Sequence, residues 1–262
     1  MTPAEAGSAE AVEALITTLY GAEVALGPIE GALHVAALYR DAEGALQVLS
    51  VGEGAPRSTW DAFALNLARA RAGAILTTGA ILRAEPEVRY TLGGPGDCST
   101  GLMAWRRQIG LDRPPVLAVL TSGRGWRWDH PALDGALPVW VYTDSEGAEQ
   151  IRRGAPAHAH VIAADGLDAA WAVSHLRAHL GGVCVEAGPS ASACLYQPAL
   201  RLDELMLSIF TGLCGAEQIV APWPGAERAE LLGGGDSDGA LRPHASVQDT
   251  WTFLRVSCTS TR

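Results

Sequence analysis

The chain has 262 residues, of which 48% are hydrophobic, and carries 19 Lys and Arg against 29 Asp and Glu for a net charge of −10. That length and apolar content support one large or two small domains with a substantial core, while the acidity and the lack of any basic cluster exclude a nucleic-acid surface. No apolar run approaches the ~18 residues of a membrane span and no leader pattern opens the chain, so the expected setting is the cytoplasm.

All of the basic residues are arginines. This excludes a phosphate-binding P-loop lysine and Schiff-base chemistry, and leaves arginine to meet any phosphate. Cys98, Cys184, Cys194, Cys214 and Cys258 form no C-x-x-C pair. Reduced thiols are expected, with no disulfide and no metal site.

Residues 1–30 read as an N-terminal extension, helical where apolar residues recur at helical spacing over 11–20, and residues 31–262 as the main domain. Leu33 to Tyr39 predict a first strand, Asp41-Ala42-Glu43-Gly44 a turn, and 45–51 a returning strand. His34 falls within that apolar strand and reads as a satisfied core histidine. Ser58 or Thr59 caps a helix over 60–72, ended by Gly73. The strand Ala74 to Thr78 then runs into the turn at Gly79, followed by Arg83-Ala84-Glu85-Pro86. Residues 91–101, rich in glycine, read as a surface loop.

The apolar run 115–120 predicts a strand buried on both faces, with Thr121-Ser122-Gly123-Arg124 at its carboxyl end. Hydroxyls, a glycine amide and a guanidinium suit a pyrophosphate or a 2′-phosphate, with Arg124 the first choice for the latter; the bland alternative is a solvated turn. Strands at 138–142 and 160–163 alternate with helices at 145–153 and 169–180. His175 and His179 lie four apart on the second helix and read as surface residues, since spacing supplies no further metal ligand.

Gly181-Gly182-Val183-Cys184-Val185-Glu186-Ala187-Gly188-Pro189-Ser190 is the organising stretch. A short apolar run bounded by glycines is a buried strand, and Gly-Pro-Ser after it is a tight turn opening a helix. Gly188 allows backbone to approach a ligand, free amides at Ser190 and Ala191 suit an anion, and Glu186 stands where open α/β sheets bind ligands. Alternating strands and helices over 74–190 indicate βα units in a mainly parallel sheet. Strands at 205–210 and 250–256, the latter reached through a Gly/Asp-rich loop at 233–239, are expected as an antiparallel edge pair. No G-x-G-x-x-G occurs.

Val185-Glu186-Ala187-Gly188-Pro189-Ser190, Leu202-Asp203-Glu204-Leu205 and Arg83-Ala84-Glu85-Pro86 together resemble the reductase domain of bacterial riboflavin biosynthesis enzymes. That resemblance implies a three-layer dihydrofolate-reductase-like fold with a mainly parallel central sheet and an antiparallel C-terminal edge. It implies NADPH-dependent reduction, as in 5-amino-6-(5-phosphoribosylamino)uracil reductase, on a small-molecule substrate and in a homodimer. It places Glu186 and Glu43 as catalytic carboxylates, and Asp41, Arg83 and Glu85 at the substrate. Thr78, Gly79, Ser122, Gly123, Arg124, Gly188, Pro189 and Ser190 would hold the cofactor. Two positions depart from the family pattern: Ala37 lies near its usual lysine and Ile81 at its loop threonine. The companion deaminase signatures H-x-E and P-C-x-x-C do not occur in this sequence. A pterin reductase, or a non-catalytic binding or structural relative, are the alternatives.

Overall fold

The computed structural model describes residues 2–22, 24–50, 54–92, 98–226, 244–245 and 250–258. The first helix, α1 (Ala9–Tyr20), is capped by Ser8, whose hydroxyl accepts from the Ala11 amide at 3.3 Å. Its apolar stripe of Val12, Leu15, Ile16 and Leu19 is buried together with Leu33 and Phe253. Strands β1 (Ala32–Arg40) and β2 (Leu46–Leu49) form a hairpin, followed by α2 (Thr59–Ala70), β3 (Ala74–Thr78) and α3 (Gly79–Ala84). Next come α4 (Cys98–Gln108), β4 (Val116–Leu120), β5 (Val139–Thr143), α5 (Ser145–Arg152), β6 (Ala159–Ala163) and α6 (Ala169–Leu180). The chain closes with β7 (Val183–Val185), α7 (Pro189–Ser192), β8 (Glu204–Phe210), β9 (Ile219–Pro222), β10 (His244–Ala245) and β11 (Trp251–Ser257).

One sheet runs in the order β10-β11-β8-β1-β7-β3-β4-β5-β6, with β2 paired to β1 and β9 to β2. From β8 through β6 every neighbour on this path is parallel, and β11 lies antiparallel on β8. Helices cover both faces: α1, α2 and α4 pack one cluster, and α6 with residues 195–207 packs the other. The expected α/β class, mainly parallel sheet and antiparallel C-terminal edge are all present. Further strands add to the expected pair at the rim: β10 lies outside β11, and β9 extends the hairpin.

The register of β1 positions the site. On one edge Ala32–His34 pair with β7, whereas Leu38–Arg40 pair with β2. Strand β7 is only three residues long, so it leaves the sheet after Val185 and a gap opens beside residues 35–37 of β1. At the same level the order reverses, since β3 leads outward to β4, β5 and β6 and the chain returns to lay β7 between β1 and β3. Open α/β sheets bind ligands at such switch points, outside the carboxyl ends of the strands.

Arginine forks tie the helices to the sheet. Arg71 donates to both oxygens of Glu204 at 2.6 and 2.8 Å and to the Gly27 carbonyl, and Arg255 reaches the same carboxylate at 2.7 Å. Arg106 of α4 donates to the carbonyls of Ala70, Ala72 and Arg113, satisfying the otherwise open carboxyl end of α2. Helix α4 begins within the stretch read as a surface loop, of which 93–97 lie outside the described residues, as does the loop at 233–239. The misleading residue is Gly101. It marks no turn; a Cβ there would run into the Ala6 carbonyl, so its lack of a side chain lets α4 meet the N-terminal segment.

Replacing Arg71 with Ala leaves Glu204 with only Arg255 in a buried setting, and removal of one partner from a buried ion pair costs about 3–5 kcal/mol. Denaturant unfolding is expected to show a loss of that order with an unchanged m-value.

Candidate active site

A cleft of about 1020 Å³ opens over the gap beside β1 and extends across the carboxyl ends of β7, β3, β4 and β5. Its floor is an ion pair. Arg69, in the last turn of α2, donates from Nε and Nη2 to the two oxygens of Glu186, both at 2.6 Å. Both side chains are about nine-tenths buried. The guanidinium also lies 4.6 Å from the centroid of the Tyr90 ring, and the Tyr90 hydroxyl bonds Thr77 Oγ1 at 2.7 Å. The attraction of Glu186 outweighs desolvation and keeps Arg69 firmly charged. Because both carboxylate oxygens of Glu186 are held by Arg69, Glu186 fixes the point at which β7 turns into 187–191.

His34 steadies the same turn from the other side. A carbonyl can only accept, so Nε2 carries the proton and donates to the Ala187 carbonyl at 3.4 Å, while Nδ1 accepts from the Tyr196 hydroxyl at 2.6 Å. Burial depresses its pKa to about 4, which keeps the imidazole neutral. The expected satisfied core histidine is therefore present, with one face on the cleft.

The cleft brings together Thr78, Arg83, Glu85, Ser122, Glu186, Gly188, Pro189 and Ser190 from the sequence-predicted set. Thr78 caps α3 by accepting from the Ile81 amide, and burial raises the pKa of Glu85, with Arg69 opposing the rise. Asp41, Glu43, Gly79, Gly123 and Arg124 do not line it. Asp41 instead closes the hairpin turn, accepting from the Ala45 amide at 2.7 Å, and Glu43 is exposed in that turn. The hairpin arm carries both away, since β1 runs six residues beyond its last pairing with β7. The two glycines serve packing: a Cβ at Gly79 would lie 2.6 Å from Thr121 Oγ1, and one at Gly123 would lie 2.9 Å from Gly147 Cα. Arg124 contributes its carbonyl, which accepts from Arg83 Nη1 at 3.2 Å. Arg83 is thus the guanidinium that lines the cleft at this turn.

Sequence reading passed over Asp61, Arg69, Tyr90, Thr143 and Asp144 as site residues; the first three surround the β1–β3 half of the cleft, and Thr143 and Asp144 its β5 end. A usable signal was present in α2. Asp61, Leu65 and Arg69 recur at i, i+4 and i+8, so two charged residues share one helix face beside the apolar stripe of Phe63, Leu67 and Ala70. Asp144 caps α5 through the Gly147 amide at 2.7 Å, and Thr143 Oγ1 is buried without a hydrogen-bond partner among the described residues. Elsewhere, His175 stacks on Trp171 and His179 and bonds the Tyr142 hydroxyl at 3.0 Å. Among the described residues no group of three or more His, Cys, Asp or Glu is arranged to hold a metal, and no helix is long and apolar enough to cross a membrane.

The depressed His34 pKa makes a signed prediction. Between about 6.5 and 4 the unfolded chain binds a proton that the native chain refuses, so stability falls as pH drops through that window and is unaffected above it. His34→Asn is expected to remove part of this acid-side loss, on the order of 2–3 kcal/mol, read as a shallower decline of Tm from pH 7 to 4.5.

No protein-family model and no curated protein sequence matches the chain. Solved structures do. A pyrimidine reductase-like protein from Corynebacterium diphtheriae superposes with TM-score 0.66 at 21% identity, over 94% of this chain and 99% of that one. The riboflavin biosynthesis reductase Rib7 of Saccharomyces cerevisiae gives TM-score 0.55 at 14% identity, over 94% and 97%. The Thermotoga maritima diaminohydroxyphosphoribosylaminopyrimidine deaminase/5-amino-6-(5-phosphoribosylamino)uracil reductase gives 0.53 at 16% identity, over 88% of this chain and 57% of that one. The chain therefore has the fold of the riboflavin-biosynthesis reductases, as the Val-Glu-Ala-Gly-Pro-Ser motif at 185–190 implies.

Proposed function

We propose that the protein is an NADPH-dependent reductase that converts the ribosyl group of an aminopyrimidine ribosylamine phosphate to a ribityl group. The observation that carries this reading is the placement of the cleft. It lies at the point where the strand order reverses, and its two halves differ in chemistry.

The half at β3, β4 and β5 offers hydroxyls and turn backbone from Thr78, Thr121, Ser122, Thr143, Gly188 and Ser190, with Arg83 as its cation. These groups suit a phosphorylated dinucleotide. NADPH supplies a hydride when bound; the residues here hold and orient it. Arg83, the guanidinium in this half of the cleft, suits its 2′-phosphate. The other half, at β1 and α2, is lined by Val35, Ala37, Leu49, Leu65 and Val220 around Asp61 and suits a planar heterocycle. Glu85 stands between them with a raised pKa, beside the Arg69–Glu186 pair, in a position to give up a proton when the substrate is reduced.

The apolar lining at Ala37 and Ile81 favours a second reading, a ligand-binding relative without turnover. Ligand-induced stabilisation and turnover separate the two. NADPH at about 100 times its Kd is expected to add ~2.7 kcal/mol to stability, a rise in Tm of roughly 5–10 °C, with NADH giving less. Arg83→Ala is expected to shrink the NADPH shift and leave the NADH shift unchanged. Loss of NADPH absorbance with the ribosylaminopyrimidine phosphate, reduced at least tenfold by Glu186→Gln, marks an enzyme. Cofactor stabilisation with no absorbance change marks the second reading, and no stabilisation by either nucleotide contradicts both.

A further inference from the structure

Two arginines line a second cavity, remote from the cleft. It measures about 400 Å³ and lies between α6 and residues 195–203. Ala170, Val173, Ser174 and Arg177 recur at i, i+3, i+4 and i+7, so one face of α6 forms the first wall. Leu195, Arg201 and Leu202 belong to the second. Val173, Leu195 and Leu202 are buried, whereas Ser174, Arg177 and Arg201 are exposed polar residues of the lining. Asp203 lies beside them, immediately before β8, and exchanges hydrogen bonds with Ala32, the first residue of β1. Because β1 and β8 are parallel, this cavity is at the amino ends of the strands, opposite to the cleft.

The two guanidiniums are not used up by the fold. Arg177 Nη1 lies 3.3 Å from Asp203 Oδ2, an oxygen that already accepts from the Ala32 amide at 2.8 Å. That single contact aims the Arg177 head and leaves most of its N–H donors open. Among the described residues no hydrogen bond or ion pair engages the Arg201 side chain. Arg69, Arg71 and Arg106, by contrast, turn their forks onto carboxylates and carbonyls of the fold itself.

Independently of the reductase reading, we propose that this cavity binds a phosphate group, presented by a small phosphomonoester or as the free ion. A carboxylate has two oxygens and is saturated by one fork, whereas a phosphate presents at least three terminal oxygens that two forks can share. Two guanidiniums against one carboxylate leave a local positive charge in a chain whose net charge is −10. The volume lies at the small end of the range for ligand pockets, enough for a phosphate on a short organic body and too little for a dinucleotide. Val173, Leu195 and Leu202 provide the floor for that body. A ligand shared by Arg177 and Arg201 clamps together α6 and the 195–203 segment. Both elements lead to the cleft, since Leu167 just before α6 and Ser192 just before residues 193–195 line it.

The test titrates the full chain with glycerol 3-phosphate and with inorganic phosphate at constant ionic strength, using amide hydrogen exchange to locate the bound ligand. Saturable binding with a Kd of ~1 mM or tighter and slower exchange over 195–203 are expected. Arg201 bonds to nothing in the described fold, so Arg201→Gln keeps the structure, and it is expected to weaken binding at least tenfold. Arg83→Ala, in the cleft, is expected to leave this binding unchanged. Tighter binding of the ester identifies a phosphorylated metabolite as the ligand, and equal binding identifies inorganic phosphate; each supports the site. No saturable binding of either probe, binding that survives Arg201→Gln, or slower exchange at 186–190 together with loss of binding in Arg83→Ala overturns the proposal.

Discussion

The site depends on one buried ion pair, Arg69 with Glu186. Strand β7 has three residues and too few ladder bonds to hold its own end, and the chain must reverse there to lay down residues 187–191. Glu186 lies at that reversal. By reaching back to α2 with both oxygens, it converts the loose end of a strand into a fixed point on a helix. Two desolvated charges are costly separately and tolerable together when the geometry is bidentate and the cation is further covered by an aromatic ring. The residues that would meet a ligand at 188–190 inherit their position from this bond.

The same economy of charge recurs through the molecule. A chain without lysine places several arginines inside, as forks that use most of their donors: Arg69 on Glu186, Arg71 on Glu204 and Gly27, and Arg106 on three carbonyls. A planar fork can satisfy two or three fixed acceptors at once, which a point charge on a flexible stem does less well. Of the exposed arginines among the described residues, Arg83 is the one that lines the cleft. This division gives the cleft its two ends, a hydroxyl-rich one with a guanidinium and an apolar one with an acid.

Much of this architecture is legible in the sequence because its signals are local. Glycines bounding Val183–Val185, a proline at the first position of α7 and apolar runs at β4 and β5 each name their own element. The site is legible only in part, because its key contact joins residues 117 apart in sequence. Arg69 sits in a stretch whose pattern says helix and nothing more. Glu43 shows the converse. Its turn matches a family motif, but the distance that separates it from the cleft is set by how far β1 outruns β7, a matter of register that no single segment encodes. Gly101 misleads for a third reason, since a glycine that permits close packing of a helix looks in sequence like one that permits a turn.

A double-mutant cycle on Arg69 and Glu186 tests the central claim most directly. The free energy of unfolding would be measured for Arg69→Met, Glu186→Gln and the pair together. If the ion pair holds the site, each single change strands a buried group and costs about 3–5 kcal/mol, while the double change costs clearly less than their sum, with a coupling energy of about 2 kcal/mol or more. Additive losses, with coupling below about 0.5 kcal/mol, would contradict the account and leave the reversal at 186–190 to be held by backbone and by His34 alone.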